Sequence, residues 1–461
     1  MEATSLTSAA PSRARAAILN PVLSQPANTG LPLAFILFGV VSFLAASIWM
    51  VFEPSLLSTY HYNQHVIALT HLFVLGFISS VVIGALHQLA PVALECDLHS
   101  QKLGRWAFWC QIIGVPGMVA MFCVWNMKQV GHFGSVFGLG IGFFTYNMAR
   151  TLWKLPKWDV VAFAIASAVF WLFNGMMAGL FVATVKCFPS ISPLNPISQM
   201  HAHAHIGVMG CFVLLVVGVS YKLIPMFTLS EVRSPRRAWI SIIVLNISTL
   251  GTIISVALEH GVCRIIFAAL GAAALIVYAT ELRAILRARK RKLLDGAIHH
   301  FITAVACLAL TVALALTLSW PDLPLNEFTG RLENLYGYVA LSGALTFAIV
   351  GMLYKIVPFL VWTRAYSALI GKQKVPTLAE MFSAPLQKIS YTFLLLGFLV
   401  NSSAILAASE QLVRLGASMF LIGAALFCAN LALVLRHLRA APKPLSAASH
   451  RINPLAVPRH A

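Results

Sequence analysis

Charge is scarce in this sequence. Asp, Glu, Lys and Arg make up 10% of its 461 residues, and only 14 residues are acidic. Soluble domains carry roughly a quarter charged residues. A chain this long, with 59% hydrophobic residues, cannot hide its apolar surface inside one water-bounded core. The eight cysteines are scattered and include no CxxC pair, so neither a disulfide framework nor a thiolate metal site is expected. No stretch between the apolar runs is long enough for a soluble domain. The first run, from residue 31, is too long for a signal-peptide core and no small-residue cleavage site follows it, so it reads as a retained helix.

What the sequence does have is a series of apolar runs long enough to span lipid, which takes about 20 residues. The reading is an all-α polytopic membrane protein with about twelve helices, at 31–52, 65–92, 104–126, 132–150, 158–184, 201–228, 237–258, 262–282, 297–319, 334–361, 388–408 and 414–436. Residues 1–30 form an N-terminal segment, 31–436 the membrane domain, and 437–461 a proline-containing flexible tail. The net charge of +18 raises the question of nucleic acid, but the placement of the basic residues argues for topology and against nucleic acid. Arg13, Arg15, Lys102, Arg105, Arg150, Lys154, Arg233, Arg236 and the run Arg283–Lys292 fall on one side. By the positive-inside rule both termini are then cytoplasmic, and membrane lipid is the first partner.

One helix recurs three times. Residues 71–91, 205–225 and 338–358 all fit [His/Tyr]-x4-Gly-x7-Gly-x2-[His/Tyr]-x3-Pro, opened by His71, His205 and Tyr338 at spacings of 134 and 133 positions. Gapless agreement at the second, sixth and tenth helices implies three four-helix units, about 31–150, 158–282 and 297–436. The paired glycines, Gly76 with Gly84, Gly210 with Gly218 and Gly343 with Gly351, admit either a neighbouring helix or a flat cofactor close to the backbone. On a uniform α-helix, residues eight apart sit about 80° apart, so each pair is not expected to form one stripe.

Histidines gather where the second and sixth helices begin: His61, His65 and His71, then His201, His203 and His205. Imidazole is a frequent ligand of copper, zinc and iron, and clustered histidines at an apolar helix end are costly without a partner. His201 and His205 share a helical face, with His203 turned away. The expectation is that His71 and His205 hold one cofactor, with His65, His201 and His203 as further candidate ligands. Tyr338, or Tyr336, is expected to hydrogen-bond a bound ligand or ligate weakly. Gly76, Gly84, Gly210 and Gly218 are the expected close-approach positions.

The pattern resembles the haem–copper oxidase subunit I superfamily, especially divergent cbb3-like subunit I homologues and the NnrS family of haem- and copper-containing membrane proteins. The resemblance covers nearly the whole chain in helix count and threefold organisation. It implies a bacterial inner-membrane protein with haem b, associated with copper, acting in electron transfer or in nitric oxide handling or sensing. It also implies a periplasmic electron donor or respiratory complex subunit as partner and a small gaseous ligand. The family's helix-two haem histidine maps onto His71 or His65, and its helix-six copper histidine onto His201 or His205. The histidine pair around helix seven and the two haem histidines of helix ten are missing, because 237–258 and 334–361 contain no histidine. A complete oxygen-reducing centre is therefore not expected. A copper or metal transporter and a cofactor-free respiratory assembly subunit are the competing readings.

Overall fold

The computed structural model describes residues 29–440; the N-terminal segment 1–28 and the tail from 441 lie outside the described residues. Twelve long helices follow one another: α1 (Gly30–Phe52), α2 (64–93), α3 (Gln101–Cys123), α4 (Met127–Leu152), α5 (Val160–Cys187), α6 (Pro196–Thr228), α7 (Pro235–Ala257), α8 (Gly261–Arg287), α9 (Gly296–Leu318), α10 (327–366), α11 (Ala384–Ala407) and α12 (Glu410–Ala440). Eleven are long and apolar enough to cross a membrane; α4, glycine-rich across its middle, is the exception among the described helices.

Sequential neighbours pack as antiparallel hairpins, and α12 returns against α1. Three helices sit inside. In their most apolar stretches α10 is 78% buried and α2 and α6 are each 61% buried, against 22% for α8. These inner helices are the three that carry the recurring sequence.

Each inner helix also changes its winding at the same place. A π-helical segment starts one residue after His71 (Leu72–Ser79), after His205 (Ile206–Val213) and after Tyr338 (Val339–Leu345). Such wide turns free backbone carbonyls, which must be satisfied where water is absent. The Leu75 carbonyl accepts from Gln111 Nε2 at 2.7 Å and Ser80 Oγ at 3.1 Å, and the Leu341 carbonyl accepts from Thr346 Oγ1 at 2.8 Å.

The π segments correct the expectation about the glycines. A π turn absorbs about one extra residue, so eight residues rotate nearly as seven do in an α-helix, which is close to two full turns. Both glycines of a pair therefore meet one neighbour. A Cβ on Gly76 would lie 2.8 Å from Ser42 and one on Gly84 2.8 Å from the Pro32 carbonyl, both on α1. Gly210 abuts Trp171 and Gly218 abuts Ala164, both on α5; Gly343 meets Cys307 and Gly351 meets Ala297 and His300, all on α9, with the Phe398 ring of α11 also against Gly343. None of the six lines the large cavity described below. They bring the helices of the bundle together.

Candidate metal and cofactor site

Asparagine starts all three inner helices. The side chains of Asn63, Asn195 and Asn326 accept from backbone N–H groups of the first turns of α2, α6 and α10. These caps fix where each helix begins. His61 is left in the loop before α2, while His201, His203 and His205 fall in the second and third turns of α6 and Glu333 two turns into α10.

His61, His201 and Glu333 converge, with one ligand atom from each lying within 4.8 Å of the others. The two Nε2 atoms are 2.8 Å apart, and Glu333 Oε2 is 4.0 Å from His61 Nδ1. Asn334 orients His61. Its Oδ1 accepts from both the backbone N–H and Nδ1–H of His61 at 3.1 Å, while its Nδ2 donates to the Thr59 carbonyl at 2.6 Å. With Nδ1 carrying the proton, Nε2 offers a lone pair toward His201. Burial holds His61 below the usual imidazole range, with the Glu333 carboxylate and the Asn334 bond pulling the other way, so the ring is neutral at pH 7. Tyr60, pushed up to about 12 chiefly by burial, stays protonated and donates to Glu333 Oε2 at 3.1 Å. Two imidazoles and a carboxylate form a donor set suited to copper or zinc. Two metal–nitrogen bonds of about 2 Å at a tetrahedral angle hold the nitrogens roughly 3.3 Å apart, so a few tenths of an ångström of movement would admit an ion.

Behind this cluster lies a cavity of about 550 Å³, in the range of cofactor pockets. His71, His203 and His205 line it together with His61 and His201. The histidines divide by face. His201 and His205 look toward α10, where Tyr336 OH donates to His205 Nε2 at 3.2 Å and His205 Nδ1–H donates to the His201 carbonyl at 2.7 Å. His203 looks the other way, beside Gly179 of α5 and opposite His71, with ring centroids 6.4 Å apart and planes 14° from parallel. The structure thus brings His71 to His203, and His205 to Tyr336, where equal depth along the repeats predicted His71 with His205. Two positions along a helix change its facing by about 200°, whereas they change depth by only about 3 Å, so face decides the partner.

Other expected residues sit elsewhere. His65 turns off the cavity to Glu53, with Nδ1 2.9 Å from Oε1. Tyr338 lines the cavity, but its hydroxyl accepts from Asn401 Nδ2 at 3.1 Å and its ring stacks on Phe398. Sequence reasoning missed Asn334, Gly207, Gly337, Lys186 and Arg264. An asparagine one residue after an outer-end glutamate was a legible signal for the first; the others needed the fold.

The residues fit a flat metal-bearing group. His71 Nδ1–H donates to the Ile67 carbonyl at 2.8 Å, which fixes the tautomer and leaves its Nε2 as acceptor. His203 keeps a buried ring nitrogen without a hydrogen-bond partner. Two metal–nitrogen bonds of about 2 Å plus two ring radii give a centroid separation of roughly 6 Å, close to that observed. Gly207 and Gly337 line the cavity with nothing within 4 Å of where a Cβ would stand.

No family model matches the sequence, and no curated protein does. The fold is similar to that of a haem–copper terminal oxidase solved as a dimer by electron cryo-microscopy, with a TM-score of 0.61. That match covers 90% of this chain and 84% of the other at 14% identity, so what this all-α membrane protein shares with the haem–copper terminal oxidase is the fold.

Proposed function

We propose that this protein is a haem-binding, copper-associated inner-membrane protein that handles electrons or nitric oxide and does not reduce oxygen. The observation that carries the reading is the convergence of His61, His71, His201, His203 and His205 on one apolar cavity. His71 and His203 would hold the haem iron, and the haem would supply one-electron chemistry or the binding of a small gas. His61, His201 and Glu333 would hold copper at the mouth. The rest of the chain keeps water out: Phe122, Phe137 and Leu172 line the cavity, and Tyr336 occupies His205 so that it does not compete for metal. A transporter needs a polar track onward, whereas the halves of α2, α6 and α10 beyond the π segments are closed by glycine-mediated helix contacts.

The three recurring inner helices support three four-helix units, and the basic residues support cytoplasmic termini with the histidine end facing out. An outside-reporting enzyme fused after residue 190 should be active and a cytoplasmic reporter silent.

The test of the cofactor reading is absorbance and metal content of purified variants. Wild-type protein should show a Soret band and a pyridine haemochrome spectrum of b type. His71→Ala and His203→Ala should each lose or shift that band, and His205→Ala should retain it. His61→Ala and His201→Ala should lower copper to below about a tenth, as loss of a direct ligand does. A colourless wild-type protein, loaded or unloaded, would sink the haem assignment.

A further inference from the structure

Arg264 stands in an unusual position for a cation. It lies in the first turn of α8, lines the apolar cavity, and its Nε is buried without a hydrogen-bond partner. Among the described residues it makes no salt bridge with any carboxylate. Nearby acids are engaged elsewhere: Glu259 accepts from Ser198 Oγ at 2.7 Å, and Glu333 belongs to the histidine cluster. A second orphan faces the same space. Thr252, near the end of α7 that leads into α8, also lines the cavity, and its Oγ1 is buried without a partner. Lys186, the other cation lining the cavity, sits 4.5 Å from the centroid of the Tyr62 ring and has no carboxylate partner either.

A guanidinium in an apolar cavity carries five donors in a fixed fork and does not lose its proton. Leaving the buried Nε–H unpaired is costly, and a carboxylate is the group that satisfies a guanidinium fork best, through paired charge-assisted bonds. We infer that Arg264, with Thr252 lining the same cavity, seats a carboxylate of the cavity's occupant, so that the occupant is a flat apolar body carrying acid groups at its histidine-side edge. Resting on the haem reading above, this makes the acid side chains of a porphyrin the seated groups and gives the cofactor one orientation. The apolar body fills the space lined by Gly207 and Gly337, while the acids point to α8. A lipid headgroup offers similar anionic chemistry, and the test separates the two.

The experiment titrates iron protoporphyrin IX and its dimethyl ester into full-length protein purified from haem-limited cells, read by the Soret shift. Wild type should bind the free acid about tenfold or more tighter than the ester, the effect of one lost charge-assisted pair. Arg264→Leu should bind acid and ester alike, at the affinity wild type shows for the ester, and Arg264→Lys should keep part of the preference. Unchanged ester binding in Arg264→Leu shows that the variant is folded. If that variant does not accumulate, the wild-type comparison of acid with ester and Arg264→Gln carry the test. Equal affinity of wild type for both porphyrins overturns the carboxylate seat and leaves the haem reading standing. So does an undiminished preference in Arg264→Leu. Wild type that binds neither porphyrin overturns both. Mass spectrometry showing a phospholipid retained by wild type and lost from Arg264→Leu, with no acid preference, would assign the seat to lipid and overturn the inference.

Discussion

The two halves of α2, α6 and α10, on either side of their π segments, are built from the same recurring sequence and do opposite things. On the histidine side the helices stand apart, capped by asparagines, with Gly207 and Gly337 looking into open space. On the far side Gly84, Gly218 and Gly351 are in such close contact that an added Cβ would meet a neighbouring helix, at 2.8 Å for Gly84 and 2.7 Å for Gly351, and at Ala164 for Gly218. A wide turn between the halves lets one side follow the demands of a cavity and the other those of packing. Small residues alone did not reveal which half was which. A glycine can admit a helix or a ligand, and the neighbour across from it decides.

The largest effect should come from breaking the packed half. Gly84→Leu, Gly218→Leu and Gly351→Leu each push a branched side chain against backbone or Cβ atoms that cannot rotate away. Overpacking costs about 1–3 kcal/mol even where side chains give way, so at least two of the three should lose monodisperse, folded yield in detergent. Normal yield of all three would mean the contacts relax easily and the contrast between halves is weak.

A smaller and more selective effect should come from filling the open half. Gly207→Leu and Gly337→Leu place side chains where nothing lies within 4 Å of the Cβ, so folded yield should stay near wild type. Porphyrin binding, read by the Soret shift, should fall about tenfold or more because the new atoms take the ligand's space. Loss of yield with retained binding would reverse the roles of the two halves.

Much of this was legible in the sequence, and for physical reasons. Lipid demands long apolar helices, so the apolar runs marked all twelve, α4 at 132–150 included. The recurrence of glycines and prolines pointed to the inner three helices. The pairing of side chains across helices was not legible. His203 meets His71 because α6, packed on α5 through Gly210 and Gly218, presents that face to α2. A uniform 100° per residue also misplaced the glycines, because nothing in LFVLGFIS or IGVMGCFV by itself marks a π turn. Arg264 carried no signal in the sequence, because its significance depends on what fails to surround it.

The smallest expected effect distinguishes two histidines four residues apart at the mouth. His61 faces His201 and the metal cluster, whereas His65 faces Glu53, which also accepts from Trp49 Nε1 at 2.8 Å. The His65 hydrogen bond first, and that of Trp49 second, hold the Glu53 carboxyl below its ordinary value of 4.5. A carboxylate whose value is lowered by folding adds stability that is fully present above pH 4.5 and is lost as the pH falls through the lowered value. Both partners are more than a third exposed, so solvent screens the pair and the contribution is small. In detergent, Glu53→Gln and His65→Ala should each lower the melting temperature by about 1 °C at neutral pH. The deficit should shrink toward zero as the pH falls through that lowered value, where wild type also loses the charge. Copper content should be unchanged in both variants, in contrast to His61→Ala. If His65→Ala released copper while His61→Ala kept it, the ligand set at the mouth would have to be redrawn around His65, and the face-by-face division of the histidines would fail with it.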